Sequence, residues 1–475
     1  MSLLTSLAKL RALRTERAQP IATVRHCHVS ARPMVFIPLK LAGEAAAPLA
    51  AMLGDDREAP RLLVVTQPRN RDLRFAFAAE LAGLLLPYIE GFAAESETVE
   101  RKNADPYERA LDAPQLVLPN RAGAGFTALL GRSTRFRSAD GPYAVPEGVP
   151  MLGRWLTYLA ERAAFPGSSL ALCATEELGR HWASGQSALE DANLASISAW
   201  ITGGDPDDAE DPLIWPPAGP ATDPGFDAEV LAPAIESGSP ERVTEALRTQ
   251  LEPTWRLVWQ ALDLLRDLEP GASVAQRWEH DRGSFSGMAQ GVAEGSPPQA
   301  RRDGAVAAAA KLSRMERAQA SYDVQRAYDD PLVMAEYRLS GEAFAGEVVS
   351  ADPEHSEGEG RSRKLRPLVV VKTDDQVRLA PGSTLGTPQR RGQGAELVEA
   401  RDGLITIKIT KGMGRGRTPT PGAVPEPGER VCYSALADDF QGAAALPEAE
   451  ATPWTHGGPP RQYLPDDDDA REEWS

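Results

Sequence analysis

The side chains of this chain whose type and clustering could do chemistry are cations, and the chemistry is contact with phosphate. Between residues 361 and 417 there are thirteen, Arg361, Arg363, Lys364, Arg366, Lys372, Arg378, Arg390, Arg391, Arg401, Lys408, Lys411, Arg415 and Arg417. Five anions stand among them, Asp374, Asp375, Glu396, Glu399 and Asp402, for a local balance of +8 in a chain of net charge −17. A reversal of sign on this scale is the electrostatic footprint of a phosphate-backbone contact. The acidic whole, with its pI near 5.0, argues against a protein that coats nucleic acid all over.

Other residue constellations point to other chemistry. Gly123, Gly125 and Ala128 come after the run QLVLPN in G-x-G-x-x-A form, the spacing of a dinucleotide fingerprint. Pro119, Asn120 and Arg121 intervene, Gly131 interrupts the short helix expected after the glycines, and no strand ending in an acidic residue comes at the required distance, so the stretch reads as a Gly-rich turn. The phosphate loop G-x-x-x-x-G-K-[ST] is absent, which excludes an ATP motor on this chain alone. His26-Cys27-His28 is the one dense metal-type cluster; two imidazoles on one face of a strand fall short of the three or four ligands a metal needs. Cys173 precedes Thr175, Glu176 and His181, but nothing around it specifies an activated thiol, and it reads as a core cysteine. Two arginine clusters, Arg69/Arg71/Arg74 and Arg132/Arg135/Arg137, read as solvated surface with anion binding as the alternative. No catalytic residue, metal site or cofactor is assigned.

The elements that must position these residues fall into two textures. Runs at 34–41, 61–67, 115–120 and 169–175 read as buried strands, with helices at Asn70–Ile89, Pro150–Ala164 and Ala188–Ile201. Strand and helix in alternation predict an α/β domain with a largely parallel sheet over 1–201. An acidic, Pro-rich linker (202–238) comes next, then a helical region (239–345) in which Pro253 should kink or split a helix capped by Ser239. Asp303 is placed to cap a long helix with the stripe Leu312, Met315, Ala318 and Tyr322. Residues 346–436 read as a small basic β-barrel: in LITIKIT, Ile405, Ile407 and Ile409 alternate with Thr406, Lys408 and Thr410, and Asp402-Gly403 marks a turn. Residues 437–475 read as a disordered acidic tail. The N-terminal Leu3, Leu7 and Leu10 fit a docked amphipathic helix rather than a secretory signal, and no apolar run is long enough to predict a membrane span. Three scattered cysteines point to a reducing compartment, hence a cytoplasmic setting.

Residues 276–436 resemble the stalk-and-barrel accessory region of superfamily 1 helicases, through RWEHDRGSF, the long helix, EYRLSGEAFAGEVV, LAPGSTLG, LITIKITKGM and PEPGERV. In that family two stalk helices carry a small β-barrel that contacts single-stranded nucleic acid beside the motor. The resemblance implies a bacterial-type accessory subunit that works with a separate helicase or nuclease, the motor being on another polypeptide. It implies Arg390, Arg391, Lys408, Lys411, Arg415 and Arg417 as phosphate contacts. Tyr433 is the module's one aromatic that could stack a base. Two alternatives stand beside this: a nucleotide- or phosphate-ligand-binding enzyme using the N-terminal domain, and a protein-binding scaffold.

Overall fold

The computed structural model describes residues 2–45, 47–101, 104–205, 219–358, 363–414, 416 and 418–436. The expected acidic tail, and the most acidic part of the expected linker, lie outside the described residues.

The N-terminal sheet has five strands, in the spatial order Arg61–Val64, Pro48–Gly54, Met34–Lys40, Leu116–Leu118, Ala171–Cys173. It is mixed, not largely parallel. The first three strands form an antiparallel meander, and only the pairings of Leu116–Leu118 with its two neighbours are parallel. The physical reason is that only seven residues connect Met34–Lys40 to Pro48–Gly54, with Gly43 at φ 74° among them. A connection that short can join only antiparallel neighbours, whereas parallel strands need a crossover. The strand it leads into, PLAAMLG, is alanine-rich and carries little β propensity, so it escapes a sequence reading although nearly all of it is buried.

Helices cover both faces. Arg71–Ala93, Arg121–Thr134 and Gly148–Ala163 pack on one, joined by Trp278 and Phe285 of Val274–Ala293. Arg71–Ala93 has the length and apolarity of a membrane span, but Phe75, Leu81, Leu85 and Ile89 place it in this core. Ala174–His181, Leu194–Thr202 and Pro240–Arg266 pack on the other face. Pro240–Arg266 runs through Pro253 as one helix, so the expected split does not occur. Leu247, Leu251, Val258 and Leu262 line one side of it and are buried across the proline, and that continuous apolar contact holds the helix together where a hydrogen bond is lost. Residues 219–238, expected as linker, instead bury Phe226, Leu231 and Ala234 in the same core.

The long helix Ala305–Asp329 starts from Gly304, while Asp303 pairs with Lys311 at 3.6 Å. Its expected apolar stripe is buried only at the far end: Leu312 is 58% exposed, whereas Tyr322, Val324, Ala327 and Tyr328 are buried. This helix and the short Pro331–Ser340 carry a closed six-stranded antiparallel barrel. Its strands are Ala343–Asp352, Leu368–Lys372, Leu404–Lys411, Gly394–Arg401, Thr384–Gly386 and Arg430–Ser434. The barrel closes between Thr384–Gly386 and Arg430–Ser434 through the pair Gly386–Ser434. Ile405, Ile407 and Ile409 point inward with Phe344, Val371, Leu397 and Tyr433, as the alternation predicts. Asp402 and Gly403, both at positive φ, make the two-residue hairpin turn between Gly394–Arg401 and Leu404–Lys411.

Candidate nucleic-acid interface

Barrel and stalk are joined by several polar contacts. At the end of the long helix Asp329 accepts hydrogen bonds from Ser273 N and Ser273 Oγ, each at 2.9 Å, and pairs with Arg391 of the barrel. Its neighbour Asp330, fully buried, accepts from Thr23 N at 2.7 Å, Thr23 Oγ1 at 2.9 Å and Leu332 N at 2.9 Å. The last of these caps Pro331–Ser340, where Pro331 at the first helical position needs no N–H partner. Arg338 forks onto Asp375 at 2.8 and 3.0 Å, and Tyr328 donates to Leu436 O at 2.6 Å.

The cations implied by the helicase resemblance are dispersed over this assembly. Arg390 makes a bidentate pair with Glu429 at 2.7 and 2.9 Å and bonds Gly422 O. Arg391 is the barrel-to-stalk clamp on Asp329 and Ser273. Lys408 lies between Glu357 at 3.1 Å and Glu396 at 3.5 Å. Lys411 is exposed, with its stem over Gly394. Arg415 and Arg417 lie outside the described residues. Arg390, Arg391 and Lys408 thus meet carboxylates of three separate parts of the fold. Tyr433 is fully buried against Phe344, ring centroids 6.0 Å apart, and offers no face to a base.

A different set of cations shares a row. The strand registers place Arg401 opposite Leu404, Leu404 opposite Lys372, Lys372 opposite Glu347 and Glu347 opposite Arg430. All five side chains are exposed. Four inter-strand steps carry this band around five of the barrel's six strands, an arc of about 19 Å. It carries three cations and one carboxylate. Among the described residues Lys372 and Arg430 have no ion pair, and Arg401 meets only its neighbour Asp402, with both side chains more than three-quarters exposed, a pair worth little in water.

The other sequence candidates resolve into structure. Gly123, Gly125 and Ala128 lie in the first turns of a helix capped by Asn120, so they form neither a turn nor a phosphate loop. Gly131 and Gly153 let that helix approach Gly148–Ala163: a Cβ on Gly153 would overlap the Arg135 backbone. His26, Cys27 and His28 are not on a strand. His26 is buried, and His28 stacks on Trp278 at 4.0 Å, where burial pushes its pKa down to about 4. Burial also pushes the Cys173 thiol up to about 12, the opposite of an activated nucleophile. His181 serves elsewhere. Its Nε2 accepts from His26 N at 3.1 Å, which leaves the proton on Nδ1 to bond Glu177 O at 2.6 Å. Burial holds this neutral ring near pKa 4. Of the two arginine clusters, Arg74, Arg135 and Arg137 are buried rather than solvated. Arg135 donates to Gln299 O and Ala300 O at 2.7 and 3.0 Å.

No protein-family model matches the chain, and no curated protein or solved structure matches it.

Proposed function

We propose that this protein is a non-catalytic accessory module whose barrel contacts the backbone of single-stranded nucleic acid, and that a separate helicase or nuclease supplies the chemistry. The observation that carries this reading is the exposed band Arg401–Leu404–Lys372–Glu347–Arg430, on a barrel fixed to its stalk through Arg391–Asp329 and Arg338–Asp375. Lys372 and Arg430, which make no ion pair among the described residues, and Arg401, whose pair with Asp402 is exposed, can release counterions from a phosphate chain; Arg390 and Lys408, already neutralised, gain little by doing so. With Tyr433 buried, contact runs through phosphate and is insensitive to sequence.

The test is fluorescence anisotropy of the full chain with a labelled single-stranded oligonucleotide over a range of salt. Three phosphate contacts on a single strand give a slope of log K against log salt of about −2. The triple variant Lys372→Glu, Arg401→Glu, Arg430→Glu abolishes binding, while Lys408→Gln leaves the slope unchanged. Absence of binding at low salt, or equal binding by the triple variant, sinks the proposal.

A further inference from the structure

A cavity of about 240 Å³ lies beside the edge strand Ala171–Cys173. The loop 163–169, the helix Ala174–His181, the end of the long helix Ala305–Asp329 and residues 26–27 enclose it. Its walls are polar and hold several groups that the fold leaves unmatched. His26 is buried; its Nδ1 has no hydrogen-bond partner, and its Nε2 faces Asp330 Oδ2 at 3.4 Å. Arg326 Nε is likewise buried and unbonded, and so is the acceptor Glu177 Oε2. Buried polar atoms without partners are rare in folded proteins unless something binds them.

The charges point to the sign of the occupant. Three arginines and two glutamates line the space. Glu176 pairs with Arg121 at 2.8 Å and with Arg180 at 3.7 Å, and Glu177 pairs with Arg180. Arg326 is then the lining cation with no carboxylate partner among the described residues, and the lining carries one net positive charge.

Other occupants fit poorly. A nucleobase needs a free aromatic face, but Tyr322 has the Arg277 and Arg326 guanidinium groups at 5.1 and 5.7 Å from its ring centroid, and Phe165 has that of Arg162 at 4.1 Å. Among the described residues no group of three His, Cys, Asp or Glu could hold a metal ion. The two thiols in the wall, Cys27 and Cys173, are held protonated chiefly by burial, so neither is a thiolate ligand or nucleophile.

We propose that this cavity binds a small oxyanion, a phosphate or carboxylate group, with Arg326 as its cation, the exposed Arg121 at its entrance and the His26 ring beside it. Anion binding here is independent of the nucleic-acid reading, because the cavity and the barrel band share no residue.

Thermal unfolding of the full chain tests it, with inorganic phosphate and acetate titrated separately against sodium chloride at matched ionic strength. A saturable rise in Tm of about 2–5 °C is expected once the anion far exceeds its Kd. A response to phosphate alone assigns the tetrahedral class, and a response to acetate alone the planar one. Arg326→Met, at a half-exposed position, weakens the response at least about tenfold, and Arg121→Gln weakens it less. The His26 ring nitrogen resonances in the unsubstituted chain shift along the same titration curve, a readout that stands even if a variant folds badly. No saturable response to either anion, an unchanged response in Arg326→Met, or an unmoved His26 signal overturns the proposal.

Discussion

Replacing Asp330 with alanine removes more than one hydrogen bond. The carboxylate is fully buried, caps Pro331–Ser340 through Leu332 N, and receives both the N–H and the hydroxyl of Thr23. Loss of an N-cap costs about 1 kcal/mol. The two Thr23 donors, part-buried and left unpaired, cost about 1–2 kcal/mol each once partial rescue by water is allowed for. The expected destabilisation is therefore about 3–5 kcal/mol, read as a fall in the urea midpoint at pH 7. Asp330→Asn keeps one acceptor oxygen and falls about halfway. A pH series sharpens the test. Burial alone would raise the Asp330 pKa, but the facing His26 and the bonds from Thr23 and Leu332 outweigh it and hold the group well below the usual carboxylate range. Its stabilisation is thus fully present above pH 3.8, the unfolded value, and is lost as pH falls below that, so the gap between wild type and Asp330→Ala closes in acid. If Asp330→Ala unfolds within about 0.5 kcal/mol of the wild type at pH 7, the clamp holds nothing and the reasoning fails.

Packing and the buried rings supply two further outcomes. Gly153→Ala drives a methyl group onto the Thr134 hydroxyl and into the Arg135 backbone, which cannot rotate away, so a loss of about 2–3 kcal/mol in thermal unfolding is expected, whereas Gly83→Ala, with open space around it, is neutral or slightly stabilising. His28 and His181 have folded pKa values near 4 against 6.5 unfolded, so below pH 6.5 the unfolded chain takes up protons first and stability drops toward pH 4 by up to about 3 kcal/mol for each ring. Asp281 works the other way: burial raises it from 3.8 to about 6, and acidification through that window recovers up to about 3 kcal/mol. Asp281→Asn removes that offset, and its urea midpoint falls more steeply than the wild type's between pH 7 and 4; parallel curves would refute the assignment.

Much of the fold is written locally. The alternation at Ile405, Ile407 and Ile409, the Asp402-Gly403 turn and the Ser239 cap each rest on a few neighbouring residues, and each appears where those residues put it. The sheet is less legible because its direction depends on the short connection after Met34–Lys40 and on an alanine-rich strand without β character. The polar features are least legible of all. Charge counting finds a basic module but cannot say which cations meet carboxylates from distant segments, and Glu357, Glu429 and Asp329 neutralise three of those that looked most useful. The two-residue turn at 402–403 sets Arg401 opposite Leu404 from sequence alone. Bringing Lys372 and Arg430 into the same row takes barrel closure. His26 reads as half of a histidine pair on a strand, and only the tertiary fold puts it against Asp330 and His181.

Arg326 and Asp329 lie in the last turn of the helix Ala305–Asp329, and Asp330 follows them, extended, at the join with Pro331–Ser340; the three face three different bodies: the cavity, the barrel and the 21–28 segment. Four positions separate the first of these attachments from the last, so the three are close neighbours along the chain. Where a rotation at one is felt by the others, linkage sets the terms: an anion that favours one setting of this segment must shift the barrel's orientation, and nucleic acid that favours one barrel orientation must shift the anion's affinity by the same factor.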